Sequence, residues 1–235
     1  MMASTNHDCV LVIMAKAPRP GSAKTRLARS LPSTAVVELY RCLLDDTMAL
    51  ARSLDDVDVA IMCPASDVED LSREANATVP VLAQAGDGLA AGLTSVFAHF
   101  AAAGRRRIIA FNSDSPHLPV SVLKNAFEAL AHCDLVVGPT HDGGYYLVGA
   151  TASHAGLFSG DGLGTTNALD ALLARARALG LSVRRTDPFY DIDVAADLGR
   201  LAAELQDAPA RAPRTAQWLA EWRRAAPPDQ NGGDR

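Results

Sequence analysis

The sequence has no apolar stretch that approaches the length needed to span a bilayer, which argues against a helical integral membrane protein. Its four cysteines, Cys9, Cys42, Cys63 and Cys133, stand far apart, without the paired spacing of a zinc site or a redox motif. They read as reduced core residues. Positive charge is not in surplus: 22 Lys and Arg against 27 Asp and Glu give a net charge of -5. That balance argues against a broad basic surface, so neither nucleic acid nor a membrane is expected as a partner. Any cation that matters must act locally. Neither GxxxxGKS/T nor GxGxxG occurs, so the phosphate loop of P-loop NTPases and the dinucleotide fingerprint are both absent. The start is polar, with no basic flank leading into an apolar run, so no signal peptide is expected and a cytoplasmic location follows. No internal repeat is visible.

What is present is a chain of 235 residues, 49% hydrophobic and 21% charged, enough to bury one substantial core. One domain over residues 1–226 is the default reading, followed by a polar tail at 227–235 expected to be disordered. Residues 9–15 (CVLVIMA) form a continuous β-rich apolar run, as in a strand covered on both faces. Pro18, Pro20 and Gly21 then break regular structure through 16–27 (KAPRPGSAKTRL), and a helix starts near Ser33 or Thr34 and runs to about Leu54.

The alternation continues. A strand at 58–63 is followed by a short helix to about Asn76, with Ser66 and Glu69 spaced as a capping box. Next come a short strand at 78–82, a helix at 88–103 closed by Gly104, a buried strand at 107–112 and a helix at 119–131. Two strands at 134–138 and 145–150, separated by THDGG, suit a hairpin or a sheet edge. A helix capped by Thr165 or Thr166 runs to Leu179, a last strand covers 182–186, and helices at 194–205 and 213–225 close the chain.

This alternation predicts a single three-layer α/β/α Rossmann-like domain with a mostly parallel sheet. Ligands of such sheets sit at the carboxyl ends of the strands. The unusual segments fall there: KAPRPGSAKTRL, SDSPHLP, THDGG and DPFYDID.

The first of these places Lys16, Arg19, Lys24 and Arg26 around Gly21 and two prolines, a candidate phosphate grip, although a solvated basic turn reads the same way. Asp114 follows a buried strand between Ser113 and Ser115 and suits a hard cation, or else caps a helix or forms a turn. Asp191 and Asp193 point to opposite sides if the segment is extended, which favours Asp193 as the ligand unless it caps the following helix. Asp142, Gly143 and Gly144 allow close approach of backbone to a ligand, or simply a tight turn. Tyr145 and Tyr146 are expected to split their faces, one inward and one toward a substrate.

Together IMAKAPRPGSAKTRL, NSDSPHLP, VVGPTHDGGYYLVG and YDIDVAADL resemble a bacterial family of uncharacterised transferases related to 2-phospho-lactate guanylyltransferase. The resemblance spans roughly residues 10–205. It implies the nucleotide-diphospho-sugar transferase fold, also called GT-A, with Lys24 and Arg26 on nucleotide phosphates. It further implies Asp114 as metal-binding aspartate, Asp193 with or without Asp191 as the second carboxylate, and Asp142 and Gly143 facing the acceptor or sugar. Two departures stand out. Asn112 occupies the place of the first acid of a DxD motif, and QAGDGLAAGLTSV lacks the arginine that relatives carry.

The leading expectation is nucleotidyl transfer, dependent on magnesium or manganese, from a nucleoside triphosphate to a small phosphorylated acceptor with release of pyrophosphate. Lys24, Asp114 and Asp193 would carry the catalysis, and Lys16, Arg19, Gly21, Arg26, Ser113, Asp142, Gly143 and Gly144 would help bind the nucleotide. The rival is glycosyl transfer from a nucleoside diphosphate sugar, with His117, His141 or Asp142 as base. A nucleotide-binding protein without turnover is the third reading, and the oligomeric state is left open, a homodimer included.

Overall fold

The structure is a computed structural model and describes residues 8–76, 78–159 and 167–225. The expected tail at 227–235 and the Thr165 or Thr166 cap lie outside the described residues.

The first strand, β1 (Cys9–Met14), shows why the sheet is covered twice. Alternate side chains point to opposite faces: Cys9, Leu11 and Ile13 join one apolar cluster, while Val10 and Val12 join another. Both clusters are needed to keep this strand dry. Helices α1 (Ser33–Arg52), α2 (Val68–Glu74) and α4 (Val120–Ala129) supply Leu44, Met48, Leu71, Leu123 and Phe127 to the first face. Helices α3 (Gly88–Ala102) and α5 (Ala168–Ala178) supply Leu93, Val96, Phe97 and Leu172 to the second. The expected three layers follow from that division.

The remaining strands are β2 (Val57–Cys63), β3 (Val81–Ala83), β4 (Arg107–Asn112), β5 (Leu135–Pro139), β6 (Tyr145–Ala150) and β7 (Val183–Arg185). One seven-stranded sheet runs in the order β3-β2-β1-β4-β6-β5-β7. Every pairing is parallel except those of β6, which runs antiparallel to both β4 and β5. The β5–β6 pair is therefore an interior hairpin with β6 inserted between two parallel strands, not a sheet edge. Gly138 and Gly149 permit this insertion: a Cβ on Gly138 would stand 2.4 Å from the Tyr146 ring, and one on Gly149 would meet Ile109 and Val136 at 2.8 Å.

Helices α6 (Ala195–Asp207) and α7 (Pro213–Ala225) do not cover the sheet. They pack on the outer side of α1, where Leu39, Leu43, Leu201, Leu205 and Leu219 form a third cluster. Asp46, buried in α1, accepts the backbone N–H groups of Arg214 and Thr215 at 3.2 and 2.8 Å and so satisfies donors at the start of α7 that have no partner within the helix.

Two local expectations are corrected. Ser66 and Glu69 do not form a capping box: the Ser66 hydroxyl bonds the Asp67 carboxylate at 3.0 Å and Glu69 pairs with Arg73. The third strand is also shorter than expected, because Thr78 turns back to bond Ala75 at both its N–H and its hydroxyl. The four cysteines are free, with Cys9, Cys63 and Cys133 buried and Cys42 half-buried.

Candidate active site

The register of β1 decides where the loops meet. Met14 pairs with Asn112 on β4 and with Met62 on β2, so residues 15–26, 113–118 and 64–67 leave the sheet side by side. The strand order reverses direction of travel between β1 and β4, the position where open α/β sheets hold their ligands. A fourth segment is drawn in from the far side. Thr140 bridges Phe189, the Ile192 N–H donates to the Asp114 carbonyl at 3.0 Å, and the Ser115 hydroxyl bonds the Tyr190 carbonyl at 3.2 Å. Those contacts bring Asp191 and Asp193 alongside the end of β4.

Two ion pairs close the cleft. The Lys24 ammonium lies 2.8 Å from Asp114 Oδ2, and an Arg26 nitrogen lies 2.7 Å from Asp193 Oδ2. They differ in setting. The Lys24 side chain is 3% exposed, whereas Arg26 and Asp193 are 61% and 35% exposed. A buried ammonium needs a partner of opposite charge, and Asp114 is that partner. Lys24 also has φ 54, a left-handed conformation uncommon outside glycine, so the loop holds this one side chain inward at a cost in backbone strain. Lys24, Asp114 and Asp193 line a cavity of about 250 Å³ that Met14, Lys16, Tyr40 and Ser113 help to enclose, and Arg26 touches it through Asp193.

Asp191 shares this neighbourhood. Burial pushes its carboxyl up to about 6, and the charges of Asp114 and Asp142 add to that push against the opposing pull of Lys24. Asp193, by contrast, is held by Arg26 and does not cap α6. Asp197 does so instead, accepting the N–H groups of Asp193 and Val194 at 2.9 and 2.7 Å.

The other expected site residues fall into place as follows. Arg19 is turned away from the cavity and pairs with Asp67 and Asp70 beside α2. Gly21 has φ 75 and turns the loop in open space, while Lys16 is exposed at the cavity rim. Ser113 is buried, its hydroxyl between Tyr40 at 3.0 Å and Asp114 at 3.4 Å. Asp142 folds over its own turn: it accepts the Thr140 hydroxyl and, at 3.3 Å, the Gly144 N–H. These bonds hold its carboxyl below the usual carboxylate range, the Thr140 hydroxyl being the main cause. Gly143 has φ 88, and a Cβ on Gly144 would meet Thr140 Oγ1 at 2.8 Å, so THDGG is a tight turn that fixes its acid within the electrostatic reach of Asp191 and Arg26.

Two expectations about side-chain exposure are corrected. Tyr145 and Tyr146 do split their faces, packing into the second and first clusters, but both hydroxyls are buried. His117 is fully buried against Phe189 and Tyr190, where burial lowers its pKa to about 3, so it is no surface base. Two residues went unnoticed in the sequence. Tyr40 presents its hydroxyl from α1 to the cavity floor, and Asp67 accepts the Ala17 N–H at 2.9 Å as well as Arg19. A tyrosine within the buried stripe Val36, Leu39, Leu43, and an acid just past Pro64 at the end of β2, were the available signals.

The sheet order, the single reversed strand and the cleft at the β1/β4 switch define an α/β fold of the nucleotide-diphospho-sugar transferase type. The chain belongs to a family described as uncharacterised proteins conserved in bacteria (DUF2064), whose profile matches residues 47–165. A solved protein of Desulfovibrio desulfuricans, provisionally assigned as a nucleotide-diphospho-sugar transferase, superposes with a TM-score of 0.84 at 26% identity, over 91% of this chain and 94% of its own. A cytidylyltransferase of Leptospira borgpetersenii gives 0.56 at 11% identity, over 92% and 93%. A 4-diphosphocytidyl-2C-methyl-D-erythritol synthase of Anaerococcus prevotii gives 0.55 at 11%, over 84% and 96%. The last two share the fold with this chain. No curated protein matches it.

Proposed function

We propose that this chain, acting as one unit over residues 1–226, is an enzyme that binds a nucleotide polyphosphate in the β1/β4 cleft and transfers part of it to a small acceptor. The observation that supports this most is the convergence of Lys24, Asp114 and Asp193 on one cavity, with Arg26 paired to Asp193 at its edge. The Lys24–Asp114 pair also serves the fold, but cations from the first loop and carboxylates from the middle and end of the chain gather at the sheet's switch point, where such sheets hold their ligands. A polyphosphate with a hard cation offers each of them a partner of opposite sign.

The donor set suits magnesium, with manganese as a substitute. Magnesium is commonly held by one or two carboxylates together with substrate phosphates rather than by an all-protein cage. Asp114 and Asp193 line the cavity and offer two carboxylates, with Asp191 close enough to feel the charge of Asp114, and no cage of three His, Cys, Asp or Glu is gathered among the described residues. When bound, the ion would neutralise charge on the phosphate oxygens. Lys24, buried and held inward by its backbone, would position the phosphates. Lys16 and Arg26, at the rim, would stabilise the leaving group as negative charge develops on it. Asp142, fixed by Thr140 and Gly144, faces the acceptor side. The phosphorylated acceptor is ionised already, so no general base is required.

Nucleotidyl transfer is the preferred reaction because three cations on the first loop, Lys16, Lys24 and Arg26, suit a triphosphate. The 26% identical neighbour, with its sugar-nucleotide assignment, keeps glycosyl transfer as the second reading. The relation to 2-phospho-lactate guanylyltransferase rests on the four motifs alone. Incubation with the four triphosphates and a panel of phosphorylated metabolites, read as pyrophosphate, tests the first reading. Release of a nucleoside diphosphate from sugar nucleotides, with no pyrophosphate from any triphosphate, replaces it with the second.

A further inference from the structure

Tyr40 lies outside every motif that pointed to the cleft. It sits in α1 among Val36, Leu39 and Leu43, and its ring is 3% exposed. A buried tyrosine hydroxyl needs a hydrogen-bond partner, and this one finds none in its own helix. The Lys16 backbone N–H donates to it at 3.1 Å, and Ser113 Oγ lies 3.0 Å away. Lys16 opens the cationic loop, and Ser113 precedes Asp114. Ser113 Oγ in turn reaches Asp114 Oδ1 at 3.4 Å, a long contact that nonetheless fixes the direction of the chain. Lys16 N–H donates to Tyr40, Tyr40 O–H to Ser113, and Ser113 O–H to the carboxylate. One oxygen atom thus ties the exit of β1 to the exit of β4. Burial, with the charge of Asp114, raises the pKa of this hydroxyl and keeps it a donor.

We propose that Tyr40 is a positioning residue of the nucleotide site, its hydroxyl setting the separation between the cationic loop at Lys16 and the carboxylate of Asp114. The proposal rests on the reading of this cleft as a polyphosphate site. Phenylalanine keeps the ring in the core and removes only the bridge. Tyr146→Phe is the control, since it too deletes a buried hydroxyl, one bonded to Thr186 and Asp187 away from the Lys16–Ser113 bridge.

The test uses the full chain, with amide hydrogen exchange at Lys16 and calorimetric binding of magnesium tripolyphosphate. Tyr40→Phe is expected to speed exchange at Lys16 and to weaken tripolyphosphate binding, each about tenfold, the equivalent of about 1.4 kcal/mol. Tyr146→Phe is expected to lower thermal stability while leaving both readouts alone. Unchanged Lys16 exchange in Tyr40→Phe, or equal changes in both variants, overturns the proposal. So does wild-type binding that Tyr40→Phe leaves intact. Failure of the wild type to bind tripolyphosphate at all instead brings down the polyphosphate reading, and this proposal with it.

Discussion

Lys24 Nζ stands 2.8 Å from Asp114 Oδ2 at the bottom of the cleft, a contact between the loop after the first strand and the turn after the fourth. With 3% of the lysine side chain and 27% of the aspartate exposed, the pair joins a desolvated cation to a partly hydrated anion. Lys24→Met should cost about 2 kcal/mol, below the 3–5 kcal/mol for a fully buried pair, because water can still reach the orphaned carboxylate. The double variant Lys24→Met with Asp114→Asn should recover part of that loss. Urea denaturation of the four proteins in a double-mutant cycle measures it, and simple additivity would falsify the pairing as a stabilising contact.

The second pair obeys different arithmetic. Arg26 and Asp193 are solvated, so Arg26→Ala should change stability by no more than about 0.5 kcal/mol. Triphosphate binding should nevertheless fall about tenfold, and the deficit should shrink as salt screens the charge. Thermal shifts with and without magnesium nucleotide, at low and high salt, read both effects. A stability loss as large as that of Lys24→Met would mean that Arg26 serves the fold rather than a ligand.

That contrast bears on what could be seen beforehand. The run CVLVIM announced a strand buried on both faces, and the positions of proline and glycine marked the loops, so the layers and the loop cluster were legible. The direction of β6 was not. Its residues are as apolar as those of β4, and nothing in a side chain records whether a strand runs with or against its neighbour; only the small Gly138 and Gly149, which let Tyr146, Ile109 and Val136 pack close, hint at the insertion. Motif residues Lys24, Arg26, Asp114, Asp191 and Asp193 could be named as candidates, but their partners could not. Arg19 looked equivalent to Arg26 until the fold set Asp67 and Asp70 beside it.

Asp67 anchors the same loop from the other side. Its carboxylate is buried, accepting the Ala17 N–H at 2.9 Å and pairing with Arg19. Asp67→Ala leaves a backbone donor unsatisfied and should cost about 1–3 kcal/mol. Asp67→Asn, which can still accept from Ala17, should lose less. Limited proteolysis within residues 16–26 should become faster in the alanine variant first, and equal protection in all three proteins would exclude Asp67 as an anchor.

The buried imidazole of His117 gives the fold a specific acid weakness. Its pKa is lowered to about 3 by burial, with smaller contributions from Arg200 and Arg211, while in the unfolded chain it titrates near 6.5. Between those values the unfolded state binds more protons than the folded one, so stability rises with pH. The contribution of neutral His117 is therefore complete above about pH 6.5 and is lost as pH falls toward 3, by about 1.4 kcal/mol per unit. His117→Phe keeps a ring between Phe189 and Tyr190 and removes the titration. Urea midpoints for the two proteins should lie close together at pH 7.5 and separate at pH 4.5, where the variant should hold an advantage of about 2.7 kcal/mol. Parallel curves over that range would show that the imidazole takes up its proton without leaving the core.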